Sequence, residues 1–133
     1  MALKRKGIVK KADEIFSKVI RTVGYCENCG KTKDQAQMQC AHIIGRIVFP
    51  TRVDLRNAFC LCAGCHRYYT EHPREFSRFI TNTWAQEYYE HVFKKSRSGE
   101  KNNWEERIEF LKDIYKQIEA GEMTLAEARK YEW

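Results

Sequence analysis

Two pairs of cysteines at identical spacing, Cys26-Glu-Asn-Cys29 and Cys62-Ala-Gly-Cys65, carry the most specific chemistry in the chain. Each pair is a knuckle that can present two thiolates to one ion, and together they supply a tetrahedral zinc with four Zn–S bonds of about 2.3 Å. Such a site is closed: it has no open position for water, so it would hold the fold together and take no part in a reaction. A redox dithiol is the competing reading of a CxxC pair, but neither pair lies in a strand-to-helix thioredoxin setting, and it would leave the second pair unexplained. Cys40 and Cys60 lie outside the knuckles in apolar segments, where a free thiol packs as a small hydrophobe; the lesser alternative for Cys40, two residues from His42, is contact with a metal.

Between and beside the knuckles stand His42, Asn57 and His66, in that order. A histidine near its ordinary pKa of about 6.5 can take a proton from water at neutral pH, and an asparagine can hold an imidazole or a loop without competing for that proton. A divalent ion beside them would neutralise charge on a pentavalent phosphorus and on its leaving oxygen. Base, orienting amide and metal ion are the parts of a phosphodiester hydrolysis. Arg46, Arg52 and Arg56 bracket this group and Arg67, Arg74 and Arg78 follow it, so guanidinium groups suited to phosphate cluster around the same chemistry. Arg46, four positions after His42, is the candidate for gripping the scissile phosphate.

On these residues the chain resembles the HNH, or ββα-metal, nucleases: Cys26-x-x-Cys29, His42-Ile43, Asn57 and Leu61-Cys62-x-x-Cys65-His66 follow the family's order. Within it, Gln39-Cys40-Ala41-His42-Ile43-Ile44-Gly45-Arg46 and Val53-Asp54-Leu55-Arg56-Asn57-Ala58 are similar to the phage recombination nucleases of the NinG/Rap kind. The resemblance covers roughly residues 25–118. It implies a β-hairpin and a helix around a catalytic divalent ion (Mg²⁺ or Mn²⁺, with Zn²⁺ or Ni²⁺ as alternatives). His42 would activate water, Asn57 would fix the loop that orients it, and His66 would bind the ion; products would carry 5′-phosphate and 3′-hydroxyl ends. The implied partner is DNA, double-stranded or branched, as in recombination intermediates, and cutting both strands would call for a homodimer. One departure is Ala41, where many members carry Asp or His as a metal ligand. Asp54, Asn57, Glu71 and His72 are the candidates to replace it, with His72 and Asp54 ahead of Glu71.

The elements that must position these groups follow from periodicity. Ile8, Ala12, Ile15, Phe16, Val19, Ile20 and Val23 recur at helical spacing and predict a helix closed by Gly24. From Tyr25 to about Tyr69 that period disappears, and the short apolar pieces Met38–Ile44 and Ala58–Leu61 alternate with turn residues. Helical spacing returns from Phe76 through Phe79, Ile80, Trp84, Tyr88, Val92 and Phe93, with a break near Asn82-Thr83. A polar loop from Lys94 to Asn103 follows, then a helix from Trp104 that Asn103 and Glu106 would cap and Gly121 would end. A last short helix starts at Thr124. The aromatic residues on these stripes read as core rather than as platforms for bases.

The expected fold is therefore α+β: a zinc-stabilised, treble-clef-like ββα core with flanking helices, divided as an N-terminal helix (1–24), a nuclease core (25–72) and a helical region packed on it (73–133). The net charge of +6 suits an anionic partner. The basic start lacks the apolar run of a signal peptide, and no stretch has membrane-helix length, so the reading is cytoplasmic, of the host cell if phage-encoded. In that reducing compartment six cysteines favour a metal over disulfides. Two other readings are a non-catalytic zinc-dependent nucleic-acid-binding module, which Ala41 favours, and a disulfide-stapled secreted domain.

Overall fold

The computed structural model describes residues 2–131 of the protein. It is an α+β arrangement of a two-stranded antiparallel sheet and six α-helices. Helix α1 (Ala2–Arg21) is followed by Gly24 at φ +80°, a conformation that glycine adopts without strain. Strand β1 (Met38–His42) pairs with β2 (Ala58–Cys62) in a register that sets Met38 opposite Cys62 and His42 opposite Ala58. β2 is buried along its whole length and runs directly into α2 (Ala63–Glu71), capped by Cys62, whose Sγ accepts from the Cys65 amide. Helices α3 (Pro73–Thr81) and α4 (Ala85–Ser96) are separated at Asn82–Trp84, the break that the sequence predicts.

α4 continues through Lys94 and Lys95 into the stretch read from sequence as loop. Helix α5 (Trp104–Glu119) starts where Asn103 Oδ1 accepts from the Glu106 amide, and Gly121 follows it at φ +75°. Helix α6 (Leu125–Tyr131) ends the described chain. No helix among the described residues is long and apolar enough to cross a membrane.

One apolar cluster draws on both strands and on every helix but α2, among them Phe16, Val19 and Ile20 of α1, Phe59 and Leu61 of β2, Ile80 of α3, Ile108 and Leu111 of α5, and Leu125 of α6. Phe59 is its aromatic centre, with Phe79 at 4.6 Å and Trp84 at 4.8 Å between ring centroids. Phe93 departs from the core reading; it is 43% exposed and stacks on Tyr89 at the surface.

The connection from 43 to 57 holds a buried ionic centre. Asp54 is fully buried and accepts from Arg56 at 3.1 and 3.0 Å and from Lys95 Nζ at 2.7 Å. Burial opposes its ionisation, but hydrogen bonds and charges from Arg56 and Lys95 outweigh that and hold its carboxyl below the ordinary range. Replacing Asp54 with Ala leaves two cations without their shared anion, so Asp54→Ala is expected to lower the unfolding free energy by about 3–5 kcal/mol in denaturant titrations. The wild-type contribution is complete above the unfolded carboxyl value of about 3.9 and is lost as pH falls through the lower folded value.

Candidate functional site

The two knuckles meet in space. The Sγ atoms of Cys26, Cys29, Cys62 and Cys65 all lie within 4.8 Å of one another, with Cys29 and Cys62 at 3.8 Å. A tetrahedron with Zn–S bonds of about 2.3 Å has S–S edges of about 3.8 Å, so the cluster has the size of a zinc site. Its first knuckle is closed by Gly30 at φ +80°, whose amide donates to the Cys26 carbonyl at 2.9 Å. Backbone N–H groups of Cys29 and Cys65 point at the sulfurs of Cys26 and Cys62, at 3.5 and 3.4 Å. Asn28 adds a third donor, Nδ2 to Cys65 Sγ at 3.2 Å, and is itself oriented by the Tyr69 hydroxyl at 2.9 Å.

Burial would raise the Cys26 thiol, but backbone hydrogen bonds from Cys29, Cys62 and Asn28 bring it down to about 7, whereas burial pushes Cys65 up to about 12. Four thiolates at this spacing repel one another, so the cluster needs a cation at its centre to lose all four protons. These four cysteines can hold a structural zinc ion. Cys40 and Cys60 face each other across the sheet and take no part in the cluster; burial pushes both thiols up to about 12, and Cys40 also lines the cavity that holds His42.

A cavity of about 500 Å³ opens between α1, β1 and α2, and its wall includes His42, Arg46, His66, Gln39, Asp13 and Arg21. His42 ends β1, half-buried against the Phe16 ring at 5.4 Å. Its Nε2 lies 2.9 Å from the Arg52 carbonyl; a carbonyl can only accept, so Nε2 carries the proton and Nδ1 keeps a lone pair. Burial, with Arg46 nearby, lowers the His42 pKa, against the opposing effects of the Arg52 carbonyl and Asp13, so the ring is neutral at neutral pH. His66 of α2 donates Nδ1–H to Gln39 Oε1 at 2.7 Å, which leaves Nε2 as the available ligand atom.

Asn57 is fully buried and acts on the loop between the strands. Its Oδ1 accepts from the Ile44 amide, and its Nδ2 donates to the carbonyls of Ile44 and Thr51, each at 2.9 Å. All its polar atoms are committed to backbone, so it fixes the loop that carries Arg46 and touches no reacting group itself.

Several residues assigned from the sequence to this site do other work. Asp54 is not a candidate metal ligand, because its carboxylate is consumed by Arg56 and Lys95 away from the cavity. Arg56 is correspondingly buried and paired, not a DNA contact. Arg52 gives Nε and Nη2 to Asp13 at 2.9 and 2.6 Å and Nη1 to the Arg46 carbonyl at 3.0 Å, so it braces the loop. His72 lies outside the cavity at the junction of α2 and α3, donating Nδ1–H to the Tyr68 carbonyl and stacked on the Tyr68 ring at 4.3 Å. Glu71 and Arg67 stand exposed on α2, also outside the cavity wall. Ala41 is 1% exposed in the core, and among the described residues the four cysteines are the only convergent group of three or more metal-binding side chains.

Sequence reasoning missed the contribution of α1. Asp13 and Arg21 come to the cavity because the apolar stripe of the helix buries Ala12, Phe16 and Ile20 and leaves them on its flank. The signal was available: both sit beside, not on, the apolar positions of that helix. The chain matches no protein-family model, and no curated protein or solved structure matches it significantly.

Proposed function

We propose that the protein is a divalent-metal-dependent DNA endonuclease of the HNH type, with the hairpin and α2 as its ββα centre and His42 as general base. The observation that carries the reading is the His42 ring, fixed through Nε2–H to the Arg52 carbonyl, neutral, and on one cavity wall with His66 and Arg46. His42 Nδ1 takes a proton from water as the water oxygen bonds to phosphorus. The P–O3′ bond breaks, and the 3′ oxygen leaves with its electron pair and is protonated by solvent. Arg46, exposed on the rim, binds a non-bridging phosphate oxygen. A divalent ion, held by His66 Nε2 and otherwise by water and the phosphate, would supply charge neutralisation at the phosphorus and the leaving oxygen. Arg21 on the same wall and Arg67 on α2 extend the contact to neighbouring phosphates of double-stranded or branched DNA.

Asp13 is a positioning residue in this scheme, since it holds Arg52, whose carbonyl and guanidinium set His42 and the Arg46 loop. Asp13→Asn is expected to lower kcat about tenfold with KM nearly unchanged, as a misplaced base does. An equal fall in kcat/KM arising from KM alone would show that Asp13 serves substrate binding instead.

The function itself is tested by incubating supercoiled plasmid with the zinc-loaded protein and Mg²⁺, Mn²⁺, Ni²⁺ or Zn²⁺; relaxed or linear product is expected with at least one ion. Ala41 favours a second reading, a zinc-dependent DNA-binding module without catalysis, and tight binding with no cleavage under any of the four ions would establish it.

A further inference from the structure

The loop between the strands turns sharply at Gly45–Val48, where the Val48 amide donates to the Gly45 carbonyl at 3.0 Å. Arg46 and Ile47 are therefore the two central residues of a turn. Such positions ordinarily go to Gly, Asn, Asp or Ser, yet Ile47 stands there 90% exposed, more than any other large apolar residue described. The apex is braced on both flanks. Asn57 ties Ile44 and Thr51, Arg52 holds the Arg46 carbonyl, Asn102 Nδ2 donates to the Phe49 carbonyl at 2.7 Å, and Phe49 packs edge-on against Trp104 at 6.1 Å. A protruding, branched apolar side chain on a braced turn thus stands beside Arg46, which lines the His42 cavity.

We propose that Ile47 is a wedge that enters the base stack of double-helical DNA beside the phosphodiester bound at His42. The proposal rests on the nuclease reading above. The occupant is a stacked base step because the apolar tip shares its turn with Arg46, a cation on the wall of the His42 cavity that Arg21 also lines, and such cations suit the phosphates beside such a step. Insertion unstacks the step and opens the backbone towards the base; Ile47 touches bases and Arg46 touches phosphate.

The test uses short duplexes carrying 2-aminopurine at successive positions, whose fluorescence rises on unstacking, mixed with the zinc-loaded protein without added divalent ion, alongside cleavage with Mg²⁺ or Mn²⁺. The wild type and Ile47→Met are expected to raise fluorescence at one or two positions. Ile47→Ala and Ile47→Gln, which fold because the site is exposed, are expected to bind without that rise and to cut paired duplex about tenfold more slowly, while cutting a duplex mismatched at the step at the wild-type rate. Wild-type cleavage with no fluorescence change overturns the wedge and leaves the nuclease standing; neither binding nor cleavage overturns both. An Ile47→Ala protein that keeps the fluorescence rise but loses a dimer in sedimentation also overturns it, assigning the tip to a second copy of the chain.

Discussion

Cleavage of supercoiled plasmid by the His42→Ala protein is expected to fall by about 10²–10⁴ relative to wild type, the range that general-base catalysis contributes. The ring is half-buried and packs on Phe16, so its truncation costs some stability, and the comparison is made on protein shown to retain zinc and a cooperative melt. The pH profile supplies an independent reading. Burial lowers the His42 pKa, so the base is in its active, neutral form at neutral pH, and the rate should fall only on the acid side, at a pH below the ordinary histidine value of about 6.5. A rate that falls through a higher pH, or a variant that cuts as fast as wild type, removes His42 from the role of base.

Removal of the metal from the cysteine cluster is expected to unfold the core. Apparent binding free energies of structural zinc, about 10–16 kcal/mol at neutral pH, are as large as the whole unfolding free energy of a typical domain, about 5–15 kcal/mol. Cys26 and Cys62 are buried within the apolar cluster, and Cys62 also ends β2 and caps α2, so the ligands and the core are the same residues. Purified protein should hold one zinc; a strong chelator, or Cys62→Ser, should abolish the cooperative thermal transition, while Cys40→Ala should keep both metal and transition. A chelated protein that melts as before would show that the fold stands without the ion.

The knuckles, the α1 stripe, the break between α3 and α4 and the Asn103 cap were legible because each is written in residues close together in the chain. The fates of the arginines were not. Arg46, Arg52 and Arg56 look alike around His42, but Arg52 is taken by Asp13 and Asp54 gathers both Arg56 and Lys95, partners separated by 39 and 41 positions in the two longer pairs. Such pairings depend on how α1 and α4 cross the hairpin, which no local pattern encodes. His72 failed for a local reason instead: the residue joining two helices finds a terminal carbonyl, here that of Tyr68, before it finds a metal. An asparagine between strands leaves open whether it holds an imidazole or a loop, and the three side-chain hydrogen bonds of Asn57 go to the backbone of Ile44 and Thr51.

Glu27, inside the first knuckle, accepts from the Cys60 amide at 2.7 Å with one oxygen, while the other takes the Trp84 indole N–H at 3.1 Å and lies 3.5 Å from Arg129. Arg129 in turn lies over the Trp84 ring and donates to the carbonyls of Leu55 and Ala58. One carboxylate between Cys26 and Cys29 therefore joins β2, the residue that precedes α4, and α6, so opening the knuckle breaks the tie to both helical segments. Amides in these distant segments then share a single opening event, and the region behaves as one foldon rather than as a metal knuckle with separate helical attachments.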